Sequence, residues 1–289
     1  MSPPGPTMSI VTIARGRGGH LANLLTGLAR QSEPPLDVVV ARMGGPALDP
    51  VVAPYGGRIE IADVAVPPGG PLPLAAARNR GAEACRGDVV IFLDIDCIPG
   101  EHLTRACGEA VGTGGVVASA QVQYLPPGVP GRWDWTEPDL RRAGRFHEIR
   151  PQVSATTALA PELLWSLAVA VARADFDGLG GFDEGYVGYG GEDTDFGVRA
   201  AEAGLSLMLA TQARAYHQHH ATHDPPLQHV EDIVANSRRF HDRWGRWPME
   251  GWLADMASMG IVEWSPGASD LELVRAPRPD ELQASLTLG

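Results

Sequence analysis

Two aspartates separated by one residue, Asp94 and Asp96, end the apolar run 88–93. In open α/β folds, ligands bind at the carboxyl ends of parallel strands. Side chains two residues apart on an extended chain point the same way. We therefore expect the two carboxylates to share a divalent ion that holds bound phosphates, and oxygen ligands suit Mg²⁺ or Mn²⁺. The competing interpretation of this common triplet is a solvated turn after a strand.

Three acids, Glu192, Asp193 and Asp195, follow the paired glycines 190 and 191 at the start of a predicted helix. Acids in a first helical turn often serve only to cap it, because they complement the helix dipole. One acid suffices for capping. Three carboxylates within four positions repel one another, which tends to raise a pKa and favours a general base.

A histidine-rich segment, His217-Gln-His-His220, follows another apolar run. Imidazole nitrogens are good ligands for Mn²⁺ and Zn²⁺, although a solvated loop is the alternative interpretation. The ligand remains open among His217, His219 and His220, because a shift of one residue would exchange one for its neighbour.

Basic residues after the first predicted strand and in the predicted helix at 74–85 are candidates for phosphate contacts. Arg15, Arg17 and Arg78 are able to make charge-assisted hydrogen bonds to a diphosphate, although isolated arginines usually lie on the surface. Asn79 and Ile95 adjoin these candidates and complete the expected nucleotide-binding set.

Three tryptophans, Trp133, Trp135 and Trp165, lie in or beside a stretch rich in Pro, Gly and Arg. Aromatic faces of this kind either stack on a sugar or pack a loop. The sequence favours neither interpretation.

Periodicity indicates alternating strands and helices that position these residues. An apolar or alternating pattern predicts strands at 8–14, 36–41, 59–66 and 88–93, in the second half of 163–173, and within 205–216. Helical spacing predicts helices at 20–30, 74–85, 192–203 and 229–244. Residues 121–162 show little periodicity, and we expect long loops there. The order indicates an α/β protein with a mostly parallel central sheet.

Composition excludes several classes of protein. The 289 residues carry a formal net charge of −12, which argues against binding to nucleic acids or anionic membranes. All 23 basic residues are arginine, so Schiff-base lysine chemistry and the P-loop signature are absent. Three unpaired cysteines, the absence of a signal-peptide pattern and the absence of a long apolar run favour a cytoplasmic protein without a transmembrane segment.

Five short segments taken in order resemble the family 2 glycosyltransferases of the glycosyltransferase-A fold. They are Val11-Thr-Ile-Ala-Arg-Gly-Arg17, Ala77-Arg-Asn-Arg-Gly81, Phe92-Leu-Asp-Ile-Asp96, Gly180-Gly-Phe-Asp-Glu184 and Gly190-Gly-Glu-Asp193. The last resembles the galactosyltransferase-like carboxyl half. The sequence departs from that pattern at Tyr189, where a tryptophan often precedes the glycines.

The resemblance assigns roles to individual residues. It implies that Asp94 and Asp96 are the Asp-x-Asp pair, with Asp96 the direct metal ligand, and that His217 is the metal histidine. It implies that Asp193 is the base of an inverting reaction. Glu192 then helps to hold the acceptor. Arg15 and Arg17 match the donor-side segment.

These assignments predict one glycosyltransferase domain. A disordered leader at 1–7 precedes a domain at 8–250, with a nucleotide-sugar half at 8–120 and an acceptor half at 121–250. A carboxyl-terminal extension follows at 251–289. We expect a metal-dependent inverting transfer from a nucleotide-diphosphate sugar, with UDP favoured, to a glycan, lipid-linked or small-molecule acceptor.

Two rival functions share parts of this pattern. A sugar-phosphate nucleotidyltransferase uses a metal and carboxylates, but would normally want a basic glycine-rich loop and often a lysine. A non-catalytic nucleotide- or glycan-binding module would not need both the aspartate pair and the Glu-Asp pair. Activity separates these alternatives.

Overall fold

The computed structural model describes residues 5–56, 59–63, 65, 70–131, 134–150 and 152–287. The amino-terminal half contains regular elements in this order: β1 (Met8–Ala14), α1 (Gly18–Ala29), β2 (Asp37–Arg42), α2 (Asp49–Val52), β3 (Ile59–Asp63), α3 (Leu74–Ala84), β4 (Val89–Leu93), β5 (Cys97–Pro99), α4 (Leu103–Val111) and β6 (Val116–Tyr124). The predicted strands and helices of this half are found within a few residues of their expected bounds. Residues 64 and 66 of the third predicted strand lie outside the described part.

The carboxyl-terminal half adds shorter strands and longer helices. They are α5 (Glu137–Ala143), β7 (Arg145–Phe146), β8 (Thr157–Ala158), β9 (Ala168–Ala172), α6 (Arg173–Gly178), α7 (Glu192–Glu202), β10 (Ser206–His217), β11 (Thr222–His223), α8 (Val230–Trp244), α9 (Glu250–Ser258), β12 (Val262–Glu263), β13 (Glu272–Leu273), α10 (Pro279–Ser285) and β14 (Leu286–Thr287).

One sheet carries the fold, in the order β3-β2-β1-β4-β9-β6-β10-β5. The pairs β3–β2, β2–β1, β1–β4 and β6–β10 are parallel. Strand β9 runs antiparallel between β4 and β6, and β5 runs antiparallel at the edge beside β10. The expected α/β class with a mostly parallel sheet is therefore confirmed, and both halves of the chain contribute strands to it.

Close packing between helices and sheet depends on small residues. Helix α3 lies so near β1 that a Cβ atom added at Gly81 would stand 2.4 Å from the Val11 side chain. Strands β1, β2 and β4 are buried almost throughout, as continuous apolar runs in a parallel sheet require. This packing fixes the strand ends that carry the candidate site.

The prediction of long loops across 121–162 was wrong in part. Strand β6 extends to Tyr124, and its polar residues are buried because their side chains find backbone partners. Gln121, for example, donates to the carbonyl of Thr211 and accepts from the amide of Val153. Helix α5 begins after Thr136, which forms a capping box with Asp139.

The two ends of the chain bear on the predicted domain limits. Thr7, which we placed in the leader, is hydrogen bonded to Asp88, whereas residues 1–4 lie outside the described part. The proposed boundary at 250 crosses a hydrophobic cluster that joins α8 to α9 and the strands beyond, and that includes Ile233, Leu253 and Met256. The domain limits themselves remain a prediction.

Candidate active site

Three side chains that suit a metal ion meet where β4 and β10 end. Asp96 lies between β4 and β5, and His217 is the last residue of β10, paired in register with Cys97 of β5. The distance from Asp96 Oδ1 to His217 Nε2 is 3.5 Å, and that from Asp96 Oδ2 to His220 Nε2 is 3.2 Å. One ligand atom from each residue lies within 4.8 Å of the others.

The chemistry of this cluster fits a divalent cation. It offers one carboxylate and two imidazoles, a mixed oxygen and nitrogen set that Mn²⁺ accepts. Asp96 is only 6% exposed, and its Oδ1 atom is buried without a hydrogen-bond partner among the described residues. A buried carboxylate oxygen normally has a partner, so Asp96 Oδ1 fits the role of a cation ligand.

Electrostatics keep Asp96 ionised. Burial acts to raise the pKa of Asp96. A hydrogen bond from His220 and favourable electrostatic interactions with His217 and Arg17 overcome that effect and lower the pKa to about 2. Burial lowers the pKa of His217, which favours the neutral imidazole that binds metals.

The turn after β1 brings Arg17 to this cluster. Arg17 Nη1 donates to Asp96 Oδ2 at 2.7 Å, and its backbone is left-handed, with φ of 55°. Arg17 remains 42% exposed at the start of α1, where helix amides attract anions. Arg15 is exposed at the end of β1.

A buried arginine joins Asp94 to the acidic helix. Arg78 Nη2 lies 3.2 Å from Asp94 Oδ1, and its Nη1 lies 2.9 Å from Glu192 Oε1. Arg78 itself is 3% exposed, and its guanidinium is shared by these two carboxylates. Its expected contact with a phosphate stays a prediction. The two aspartates thus differ, with Asp94 facing Arg78 and Asp96 facing the histidines.

Burial perturbs both partners of Arg78. It raises the pKa of Glu192 to about 7, with a further contribution from Asp193 and an opposing one from Arg78. Burial also raises the pKa of Asp94 to about 6, which Arg78 opposes and Asp96 reinforces.

Asn79 and Ile95 contact other parts of the protein through hydrogen bonds and core packing. Asn79 donates to the carbonyl of Phe182 and to Glu184, and accepts from the amide of Phe182. Ile95 is buried in the main hydrophobic cluster. Both residues lie next to candidate site residues in the chain, but these contacts direct their side chains to packing and loop support.

The three acids of α7 have different surroundings. Asp195 is fully buried and bonds to Arg199 and to the indole of Trp244, which makes it a structural residue. Glu192 is buried against Arg78. Asp193 is half-buried and accepts from the amides of Ser166 and Thr194. Asp193 is therefore the carboxylate that a substrate can reach.

A glycine-rich loop at 188–191 positions the start of α7. Gly188, Gly190 and Gly191 have φ of 81°, 93° and 90°, in the left-handed region where other residues are strained. Asn236 of α8 donates to the carbonyls of Val187, Tyr189 and Gly190 and so holds the loop. Sequence reasoning missed Asn236, because nothing in its local pattern marks it.

Trp135 and Trp165 have different surroundings. Trp135 is buried under Arg30, whose guanidinium lies 4.3 Å from the ring centroid. Trp165 is half-buried and meets the ring of His147 edge-on, with centroids 5.0 Å apart. Trp133 lies outside the described residues.

The histidine segment contributes two residues to the cluster instead of one. His217 and His220 lie in it, and their i, i+3 spacing is the signal that sequence reasoning left unused. The Nε2 atom of His219 is buried without a described partner, away from the cluster. Gln218 fixes the segment, because its amide donates to the carbonyl of Asp96 and its side chain bonds to Asn23.

Family models match two consecutive parts of the chain. Residues 66–159 match glycosyl transferase family 2, and residues 158–223 match the model described as the N-terminal domain of galactosyltransferase. Asp94 and Asp96 fall in the first match, whereas Asp193 and His217 fall in the second.

The curated relatives that this chain matches are named as glycosyltransferases. Validoxylamine A glucosyltransferase from Streptomyces hygroscopicus subsp. limoneus is 28% identical over 258 residues, covering 81% of this chain and 56% of the relative. An uncharacterized glycosyltransferase of Bacillus subtilis strain 168, YfnE, is 39% identical over 75 residues, covering 26% of this chain and 18% of the relative. The chain thus spans little more than half of the first relative.

Solved structures share the fold. GalNAc-T7 with UDP, GalNAc and Mn²⁺ superposes with a TM-score of 0.56 at 18% identity, over 74% of this chain and 43% of the other. TarS 1–349 from S. aureus in complex with UDP gives 0.56 at 16% identity, over 81% and 65%. The glycosyltransferase-A fold is therefore confirmed. Within the described residues, no helix is both long and apolar enough to cross a membrane.

Proposed function

Since this chain has the glycosyltransferase-A fold and carries a family 2 glycosyltransferase segment followed by a galactosyltransferase-like one, we propose that it transfers a sugar from a UDP-sugar with inversion. The observation that carries the proposal is the pairing of a cation-suited cluster, at Asp96, His217 and His220, with a reachable carboxylate at Asp193. The UDP and Mn²⁺ named with the solved neighbours support the choice of donor and metal.

The donor side of the proposed reaction involves Asp96, His217, His220 and Arg17. The first three hold the cation, which when bound neutralises charge on the leaving diphosphate. Arg17 is able to exchange its contact with Asp96 for a diphosphate oxygen, because its side chain is 42% exposed. The amides at the start of α1 add positive potential on the same side.

The acceptor side centres on Asp193. Its carboxylate accepts a proton from the attacking hydroxyl, while the amides of Ser166 and Thr194 hold it in place. The neighbouring Glu192 and Arg78 are buried, and the salt bridge between them holds the start of α7. The oxygen freed of its proton then attacks the anomeric carbon from the face opposite the diphosphate. The bond from that carbon to the diphosphate oxygen breaks, UDP leaves with the electron pair, and the carbon is inverted.

An aromatic surface near this carboxylate suits the acceptor. The ring of Tyr189 stacks on His229 with centroids 4.7 Å apart and contacts Trp252 at 6.0 Å. Tyr189 is 37% exposed. Aromatic faces of this kind pack against sugar rings, so we place the acceptor here.

The decisive experiment replaces Asp193 by Asn. We expect transfer from the UDP-sugar to fall about 10²–10⁴-fold, because a general base contributes that much, while binding of UDP with Mn²⁺ is unchanged. Turnover is followed by UDP release and binding by calorimetry. Asp177→Asn is the matched control, since Asp177 is exposed on α6. Wild-type turnover by Asp193→Asn would refute the base, and release of pyrophosphate from a nucleoside triphosphate would favour a nucleotidyltransferase.

A further inference from the structure

A buried arginine that has no carboxylate partner within the described part of the chain lies beside the candidate active site. Arg150 is 8% exposed, and its Nη2 donates to Ser119 Oγ at 2.7 Å and to the carbonyl of Ala120 at 3.3 Å. Its Nε and Nη1 groups have no acceptor among the residues that the structure describes. Buried arginines are normally paired, so this guanidinium has capacity for an anion.

The space next to Arg150 is a small pocket with aromatic walls. Its volume is about 10 Å³, which is room for about one water-sized group such as a carboxylate oxygen, and its walls include Tyr124, His147 and Trp165. The Arg150 guanidinium lies 5.1 Å from the Trp165 ring centroid. His147 Nδ1 accepts from the amide of Ile149, so the neutral ring carries its proton on Nε2 and has a second donor to offer.

Three contacts connect the pocket to the candidate active site. Leu167, one of its walls, accepts a hydrogen bond from the amide of Asp94. Ser166, which follows Trp165, donates its amide to Asp193. The ring of Tyr124 lies 4.9 Å from that of His217. The pocket therefore adjoins both the metal cluster and the Asp193 side of the candidate active site.

We propose that Arg150 binds a carboxylate on a sugar substrate, and that the pocket thereby selects an acidic sugar over its neutral counterpart. The inference rests on the proposed glycosyltransferase function. A planar guanidinium with free Nε and Nη1 groups matches a carboxylate edge. A carboxylate carries one negative charge, which matches the single positive charge of the Arg150 guanidinium. A phosphate dianion carries two, so the nearby Asp193 carboxylate would repel it more strongly. The carboxylate belongs either to the transferred sugar or to the acceptor.

Binding to the wild-type protein distinguishes these two sources. In the donor arm, UDP-glucuronate is compared with UDP-glucose in the presence of Mn²⁺. In the acceptor arm, glucuronate is compared with glucose, with and without UDP and Mn²⁺. We expect the acid to bind about 10- to 100-fold more tightly in one arm, which is the effect of a charge-assisted hydrogen-bonding pair. Equal affinities for acid and neutral sugar in both arms would overturn the proposal.

Variants test whether Arg150 is the cause of the preference. Arg150→Met should abolish it and Arg150→Lys should retain part of it, whereas Arg145→Met, at an exposed arginine of the same segment, should leave it intact. His147→Ala leaves the hydrogen bonds from Arg150 to β6 untouched and should weaken only the acid, which covers the case that Arg150 variants fail to fold. A preference that survives both Arg150→Met and His147→Ala contradicts the assignment. Failure of UDP to bind with Mn²⁺ would instead refute the glycosyltransferase proposal, and the glucuronate comparison without UDP would still decide the pocket.

Discussion

At the scale of single residues, the two aspartates after β4 have different neighbours. Asp96 meets His217 and His220, whereas Asp94 is held by Arg78. The extended alternation that we expected does not continue past β4, because residues 95 and 96 lie in a turn closed by a hydrogen bond from the amide of Cys97 to the carbonyl of Asp94. Each carboxylate therefore has a different neighbour. We therefore propose that Asp96 binds the metal and that Asp94 has a supporting role.

The histidine cluster predicts how Mn²⁺ affinity responds to substitution. His217→Ala and His220→Ala should each weaken Mn²⁺ binding at least about 10-fold, because losing a ligand costs no less than losing its outer partner. His219→Ala is the matched control from the same segment and should bind Mn²⁺ as the wild type does. Calorimetric titration of Mn²⁺ in the presence of UDP measures the effect. Equal weakening by all three variants would contradict the assignment of two ligands.

Glu192 predicts a pH dependence of stability. Its folded pKa of about 7 exceeds its ordinary value of 4.5, so the folded protein retains a proton that the unfolded chain loses. The free energy of unfolding should therefore fall as pH rises from about 4.5 to 7, by at most about 1.4 kcal/mol per pH unit from this group. Urea denaturation of the wild type and Glu192→Gln checks this. A stability difference between them that does not change with pH would refute the shifted pKa.

At the scale of elements, the site is made by strand ends and one glycine loop. The antiparallel pairing of β5 with β10 places Cys97 opposite His217, and this register brings Asp96 beside the histidine. The loop before α7 uses left-handed glycines to turn the helix start toward the same edge of the sheet. Asn236 of α8 donates to three carbonyls of this loop, which makes its side chain important for the position of the loop.

Asn236 predicts the effect of loosening that loop. Asn236→Ala removes donors to three loop carbonyls and should lower the free energy of unfolding by about 1–3 kcal/mol. Turnover should fall further than stability alone explains, because Asp193 loses its fixed position, while binding of Mn²⁺ with UDP should not change. Urea denaturation and kcat measure the two effects. Ala235→Ser, at an exposed position of α8, is the control, and an unchanged kcat in Asn236→Ala would contradict the positioning role.

At the scale of the whole molecule, the carboxyl-terminal segment is packed onto the body that carries the site. Leu253 and Met256 of α9 are fully buried in a cluster with Ile233 of α8, the helix that also carries Asn236. Residues beyond 250 therefore stabilise the helix that holds the glycine loop.

Leu253→Ala tests this connection. The cavity it leaves should lower the free energy of unfolding by about 2–5 kcal/mol. Asp255→Ala, at an exposed position of the same helix, should change it little. Denaturant unfolding measures both, and equal stability of the two variants would show that the segment does not support the body.

The sequence by itself determined the class of fold and the residues that form most of the site. Long apolar runs and helical spacing are local signals, so β1, β4, α3 and α7 were predicted close to their observed bounds. The polar strand β6 was missed, because buried glutamines are satisfied by partners far along the chain.

Only the tertiary structure decided which candidate has which neighbour. Arg78 proved to be a buried link between Asp94 and Glu192, and Glu192 lies 114 residues further along the chain than Arg78. His220 joined His217, and Arg150 emerged without a carboxylate partner among the described residues. Charge pairing and burial depend on side chains that the chain brings together over long separations, and no local pattern encodes those distances.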